Sequence, residues 1–143
     1  MLLAGCGGGG RLTKQEYRQE VLRPQQTLGV EAGRLFFQLV GRPLPRATCA
    51  AKARRFHAAL EQIVAQVERL KAPQEIAALQ ARFVREARVS VALVGRAAAD
   101  VAAGRLACGQ PLNRRIYGLP STERAEAVLE ELQRRGYVFG GGD

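Results

Sequence analysis

The chain has 143 residues, room for one domain, and its 47% apolar content is enough for one buried core. No run approaches the roughly 18 apolar residues of a membrane-spanning helix, so any membrane association has to come through a lipid or through the surface. Lys+Arg 22 against Asp+Glu 13 gives +9, with only Lys14, Lys52 and Lys71 as lysines. That balance favours anionic neighbours: phospholipid head groups or acidic wall polymers outside the cytoplasm, nucleic acid inside it.

The chain opens with Leu3-Ala4-Gly5-Cys6 followed by Gly7 to Gly10. Small residues before a cysteine suit a signal peptidase with a narrow cleft, and a thiol can carry a thioether-linked lipid, so this run reads as a bacterial lipobox. Cys6 is the expected lipid-attachment residue, with the glycines as a tether. Two acyl chains on one cysteine anchor durably, since each buried methylene contributes roughly 0.8 kcal/mol. Only residues 1–5 precede Cys6, whereas an export signal needs about 7 to 15 apolar residues, so the segment reads as the remnant of a longer signal peptide. The competing reading is a cytosolic chain with a Gly-rich start. The expected division is 1–5 signal remnant, 6–12 anchor and tether, 13–137 helical bundle and 138–143 disordered tail.

Thr13-x-x-Glu16 is a capping box, the first place a helix can start. Tyr17, Val21, Leu28, Ala32, Leu35 and Leu39 then recur at helical spacing, with Pro24 predicting a kink or break near Arg23. Gly41, Pro43 and Pro45 end this element. Cys49, Ala53, Phe56, Leu60, Ile63, Val67 and Leu70 follow at spacings of three and four, the seam of a second helix. Pro73 fits a tight reversal and the first turn of a new helix, which makes an α-hairpin.

The third helix carries Ile76, Leu79, Phe83, Ala87, Ser90, Val94, Ala97 and Val101 on one side and Arg82, Arg85, Arg88 and Arg96 on the other. Gly104 is its natural stop. A loop holding Gly109, Pro111, Gly118 and Pro120 leads to a last helix capped by Ser121 or Thr122, with Ala125, Val128, Leu129 and Leu132 on its apolar face. Its glutamates come first, and Arg134 and Arg135 last, before Gly136. No stretch alternates with period two. The expectation is an all-α antiparallel bundle of three long helices, hairpin at Pro73, with a short C-terminal helix.

With Cys6 lipidated, Cys49 and Cys108 remain as an even pair in an oxidising compartment. Counted from Pro73, Cys49 lies about 36 Å up one helix and Gly104 about 46 Å up the other. The four residues to Cys108 can retrace the roughly 10 Å surplus, so a disulfide is within reach if the third helix stops near Gly104. Two buried free thiols are the alternative.

The lone His57, four residues before Glu61, reads as a boundary residue rather than a general base. No cysteine–histidine spacing suits zinc, and the glycine run lacks the lysine and helix register of a phosphate loop. Glu130 and Glu131 read as dipole and solubility charges. No metal, cofactor or catalysis is expected. Arg82, Arg85, Arg88 and Arg96 are the candidate anion-binding residues, against two alternatives: a solvated face, or a face covered by the glutamates of the last helix.

The Leu3-Ala4-Gly5-Cys6 run with its glycine tether, Leu12-Thr13-Lys14-Gln15-Glu16-Tyr17, the Leu70-Lys71-Ala72-Pro73 turn and Leu106-Ala107-Cys108-Gly109 together resemble small helical lipoproteins of actinobacteria and related Gram-positive lineages. The likeness spans roughly Leu3 to Gly109, and the region from Pro111 to Tyr137 departs from it. That family has no established activity, so the resemblance implies a location on the outer face of the cytoplasmic membrane and a fold, and supplies no catalytic residues. The expected partners are the membrane through lipidated Cys6, then anionic lipid, wall polymer or another envelope protein. Nucleic acid is the partner only of the cytosolic alternative.

Overall fold

The computed structural model describes residues 10–138. Cys6 and the glycines 140–142 lie outside the described residues. The protein is all-helical, and no strand occurs among the described residues.

Helix α1 (Lys14–Pro24) starts on the expected capping box. Thr13 Oγ1 accepts from the Glu16 N–H at 3.2 Å, and Glu16 Oε2 accepts from the Thr13 N–H at 2.7 Å. The Thr13 backbone and hydroxyl together hold the Glu16 carboxyl below its ordinary range. Of the kink or break expected near Arg23, the break does not occur. A π-helical turn over Gln25–Gly29 carries the chain directly into α2 (Val30–Gly41). The widened turn follows Pro24 directly, a local irregularity that the helical path passes through without ending.

Helix α3 (Arg46–Arg69) buries Cys49, Ala53, Phe56 and Val67 of the predicted seam, with Ala59 and Val64 beside it. The chain reverses over Leu70 to Pro73. A 3₁₀ turn over Gln74–Ile76 leads into α4 (Ala77–Ala102), so the helix proper starts four residues after Pro73. The reversal is held by side chains and by the N-terminal segment. Gln80 Nε2 donates to the Leu70 carbonyl at 2.8 Å, Leu12 N–H to the Lys71 carbonyl at 2.8 Å, and an Arg11 guanidinium nitrogen to the Ala72 carbonyl at 3.0 Å.

Helix α4 ends as its glycine predicts. Gly104 takes φ 76°, a left-handed value that costs a side-chain-bearing residue, and this lets the Arg105 N–H reach the Asp100 carbonyl at 2.8 Å. Arg46, from the start of α3, donates to the Ala102 carbonyl at 2.7 Å. The chain then folds back and brings Cys108 to Cys49, where the two sulfurs are bonded across a Cα–Cα distance of 6.0 Å. Gly109 N–H donates to the Leu39 carbonyl at 2.8 Å, which ties the end of α2 to the same point.

Two predictions fail after this point, both for local reasons. The expected loop contains a short helix, α5 (Gln110–Ile116), because Pro111 lies in its first turn, where no backbone donor is needed, and Leu112 and Ile116 reach the core. Helix α6 (Pro120–Arg134) begins a few residues earlier than a Ser121 or Thr122 cap would place it, with Leu119 at the cap position and Pro120 pre-set for the first turn. After Gly136 the chain turns under the bundle. Buried Tyr137 meets Tyr17 edge-on with ring centroids 6.2 Å apart, and Lys14 Nζ sits 4.8 Å from the Tyr137 ring centre. The Tyr137 hydroxyl donates to Glu75, and that bond holds the Glu75 carboxyl down and the phenol up.

The packing is organised around α4, which lies against α3 on one side and α6 on the other. One core joins α2, α3, the upper half of α4 and α5 around the disulfide. A second, at the hairpin turn, is built from Tyr17, Ile76, Val128, Leu132 and Tyr137, with Val138 packed against it.

The disulfide closes a loop of 59 residues. By chain-entropy reasoning, replacing both cysteines with alanine lowers unfolding free energy by about 4 kcal/mol at most, and a loss of about 2–4 kcal/mol in urea unfolding is expected. A second expectation concerns alkali. Burial pushes the Tyr17 phenol from 10.0 up to about 12. Because the folded value lies above the unfolded one, the contribution is intact below about pH 10 and is lost as pH rises through about 12. Tyr17→Phe therefore shows a shallower loss of stability across that window, measured by chemical unfolding at successive pH values.

Candidate functional site

The arginine row does not form one site. At 100° per residue the four side chains span about a third of the helix circumference, enough to put them in different grooves. Arg82 faces the groove between α4 and α6, beside Glu131 and Arg134. Arg85 and Arg88 line a wide groove of about 710 Å³ at the hairpin-turn end, with Arg11, Lys71 and Glu68. Arg88 is paired with Glu68 of α3. Arg96 is exposed two turns beyond Arg88. Helix α6 does not cover the row with its glutamates. Its ion pair to α4 runs the other way, from Arg124 to Glu86 at 2.8 Å.

The groove by the turn is nonetheless basic, with Arg11, Lys71, Arg85 and Arg88 around one carboxylate. Arg11 was absent from the predicted set because its place beside α4 is fixed only by the tertiary bond to Ala72. Elsewhere several arginines are paired with carboxylates. Arg115 and Arg105 both bind Asp100 at 2.9 Å and hold its carboxyl down, Arg115 most strongly. Arg134 and Arg135 do the same to Glu131. Such exposed pairs add little stability.

His57 sits on the flank of α3 with Nε2 3.5 Å from Glu61 Oε1. Its ring lies over Gly95 of α4, where an added Cβ would stand 2.7 Å from Nε2. Glycine is what lets the two helices close around the imidazole. Among the described residues, no group of His, Cys, Asp and Glu side chains could hold a metal ion.

The feature that the sequence reading missed is an apolar cavity of about 490 Å³, within the range of about 300–1,000 Å³ typical of small-molecule sites. It occupies the gap between α3 and α6. Val64, Ile63 and Leu60 form the α3 wall, Phe83, Ala87 and Val91 the α4 floor, and Leu129 the α6 wall. Phe36 and Phe56 close one end with centroids 6.1 Å apart, and Tyr117, 70% exposed, leans on Phe36 at 6.4 Å. Glu123 and Glu126 stand at the α6 edge, both exposed. Small residues on the predicted seam, Ala87 and Ser90, were the available signal. They leave space wherever the neighbouring helix does not close in.

One polar cluster interrupts the wall. Ser90 Oγ lies 2.6 Å from Ser121 Oγ and 2.8 Å from Thr122 Oγ1. These contacts explain why the two hydroxyls predicted to cap α6 do not: they are turned toward α4. Ser121 is buried, so removing its partner leaves a desolvated hydroxyl. Ser90→Ala is expected to cost about 1–2 kcal/mol in urea unfolding, and Ser90→Ala with Ser121→Ala less than the two single losses summed. No protein-family model, no curated protein and no solved structure matches this chain.

Proposed function

We propose that the protein is a lipid-anchored, extracytoplasmic helical domain of the bacterial cell envelope, a binding or structural component without catalysis, attached through Cys6. The observation that carries this reading is the Cys49–Cys108 bond in a chain whose third cysteine lies in a lipobox-like run. Structural disulfides persist in oxidising compartments and are rare in reducing ones, so the pair and the lipobox support one location independently.

The path of the N-terminal segment adds an orientation. The five residues from Cys6 to Arg11 can span at most about 17 Å. Arg11 and Leu12 are bonded to the hairpin turn. An anchored chain therefore stands with its turn end toward the bilayer and its disulfide end away. That turn end carries the basic groove of Arg11, Lys71, Arg85 and Arg88, suited to anionic head groups at about 1 kcal/mol per cation near the surface. The same groove is the observation that favours the second reading, a cytosolic helical protein binding nucleic acid or a partner protein.

Membrane and soluble fractions of cells expressing the complete precursor separate the two. The wild-type chain is expected in the membrane fraction and Cys6→Ala in the soluble one at high salt. At low salt, Cys6→Ala is expected to bind vesicles of phosphatidylcholine with 30% phosphatidylglycerol, and to lose that binding when Arg85 and Arg88 are also replaced by alanine. Equal partition of wild type and Cys6→Ala at high salt removes the anchor, and unchanged vesicle binding removes the orientation.

A further inference from the structure

The cavity between α3 and α6 has an electrostatic character opposite to that of the chain. The protein carries +9, yet among the described residues the charged side chains lining this cavity are Glu123 and Glu126, with no Lys or Arg. Among the described residues neither carboxylate has a hydrogen bond or ion pair, while Glu131, on the same helix, holds two arginines. Arg115 of α5 is held by Asp100 and Arg124 of α6 by Glu86, and Arg114 of α5 does not line the cavity. Two carboxylates thus stand at the rim of an apolar hollow, unneutralised by a chain rich in arginine.

The third rim group is Tyr117. Its ring is mostly exposed and is held by Phe36 rather than sunk in the core. An aromatic face beside carboxylates is the combination that recognises an ammonium group, by cation–π attraction and by charge. The interior behind it offers only hydrocarbon and the hydroxyl cluster of Ser90, whose hydrogen bonds are already made.

We infer that this cavity binds a free single-chain amphiphile with a cationic amine or quaternary ammonium head, its tail between α3 and α6 and its head among Tyr117, Glu123 and Glu126. The site is independent of the anchor, since it lies wholly within the bundle and makes no use of the basic turn end.

The sign of the preference makes the test sharp. General attraction to a chain of +9 would draw an anionic amphiphile. The local site selects a cationic one. Titration calorimetry of the full chain at low ionic strength, with probes below their micelle thresholds, compares decyltrimethylammonium, sodium decanoate and tetramethylammonium. Decyltrimethylammonium is expected to bind once per chain, at least tenfold more tightly than either of the others. Glu123→Gln with Glu126→Gln, both exposed and unpartnered, is expected to erase the preference over decanoate while leaving the circular dichroism unchanged. Ala87→Phe fills the floor and is expected to abolish binding, with Ala87→Met as the milder filling should the larger side chain reduce helicity. Decanoate binding as tightly as decyltrimethylammonium overturns the inference, as does tetramethylammonium binding as tightly as the ten-carbon probe. A preference that survives loss of both glutamates, or an absence of binding at millimolar probe, overturns it as well.

Discussion

Helix α4 has to be buried on two sides at once, and the rest of the structure follows from how that is met. Its apolar band is too wide for one partner: Val84 lies with Val64 and Val67 of α3, while Leu79 packs against the cluster that holds Val128 and Leu132 of α6. Helices α3 and α6 therefore flank α4, and neither is required to touch the other. Two helices laid on one support diverge as soon as the side chains between them become small. Ala87 and Ser90 are such side chains, placed between the bulkier Phe83 and Val94. The cavity is thus a consequence of the same packing that stabilises the bundle, with α6 fastened to α4 beside it by the hydroxyl contacts of Ser90 with Ser121 and Thr122.

The two ends of the bundle are secured by different chemistry. At the far end a covalent bond, the Gly109 link to Leu39 and the Arg46 cap on α4 converge within a few residues. At the turn end, the N-terminal segment, the reversal and the C-terminal tyrosine are held by hydrogen bonds and packing alone. Cross-linking the open end of a hairpin gives the largest entropic effect, because that is where two long helices would otherwise splay. The turn end already has a short connection and needs no such bond.

How much of this was legible depends on whether a residue's role is set along the helix or across it. The α3 seam was readable because seven apolar residues recur at one angular position, and the cysteine pair because helix lengths bound where Cys108 can reach. The Thr13–Glu16 box and the stops at Gly104 and Gly136 are local chemistry and appear as written. Gln80, Val84 and Ala98 were missed because a single-seam reading assigns one face to a helix that has two. Pro24 marks a real irregularity but not a break, since the chain widens the turn after it and stays helical. Glycines and prolines masked α5 for a similar reason: Pro111 signals a loop in isolation but a first turn when Leu112 and Ile116 have a core to meet. The cavity and the scattering of the arginine row are properties of neighbours distant in sequence, and periodicity holds no information about them.

Charge shows the same division between long and short range. A net +9 sets the potential that a distant molecule meets, and favours anionic surfaces at low salt. At physiological ionic strength the Debye length is about 8 Å, so within a hollow the groups on its own rim decide the sign. Around α4 the fold sorts them. Arginines from the N-terminal segment and from α4 collect at the turn, several others are cancelled by Asp100, Glu86 and Glu131, and two glutamates are left alone at the apolar opening. A basic protein can therefore carry a basic groove at its turn and an acidic rim at its apolar opening, with different residues lining each.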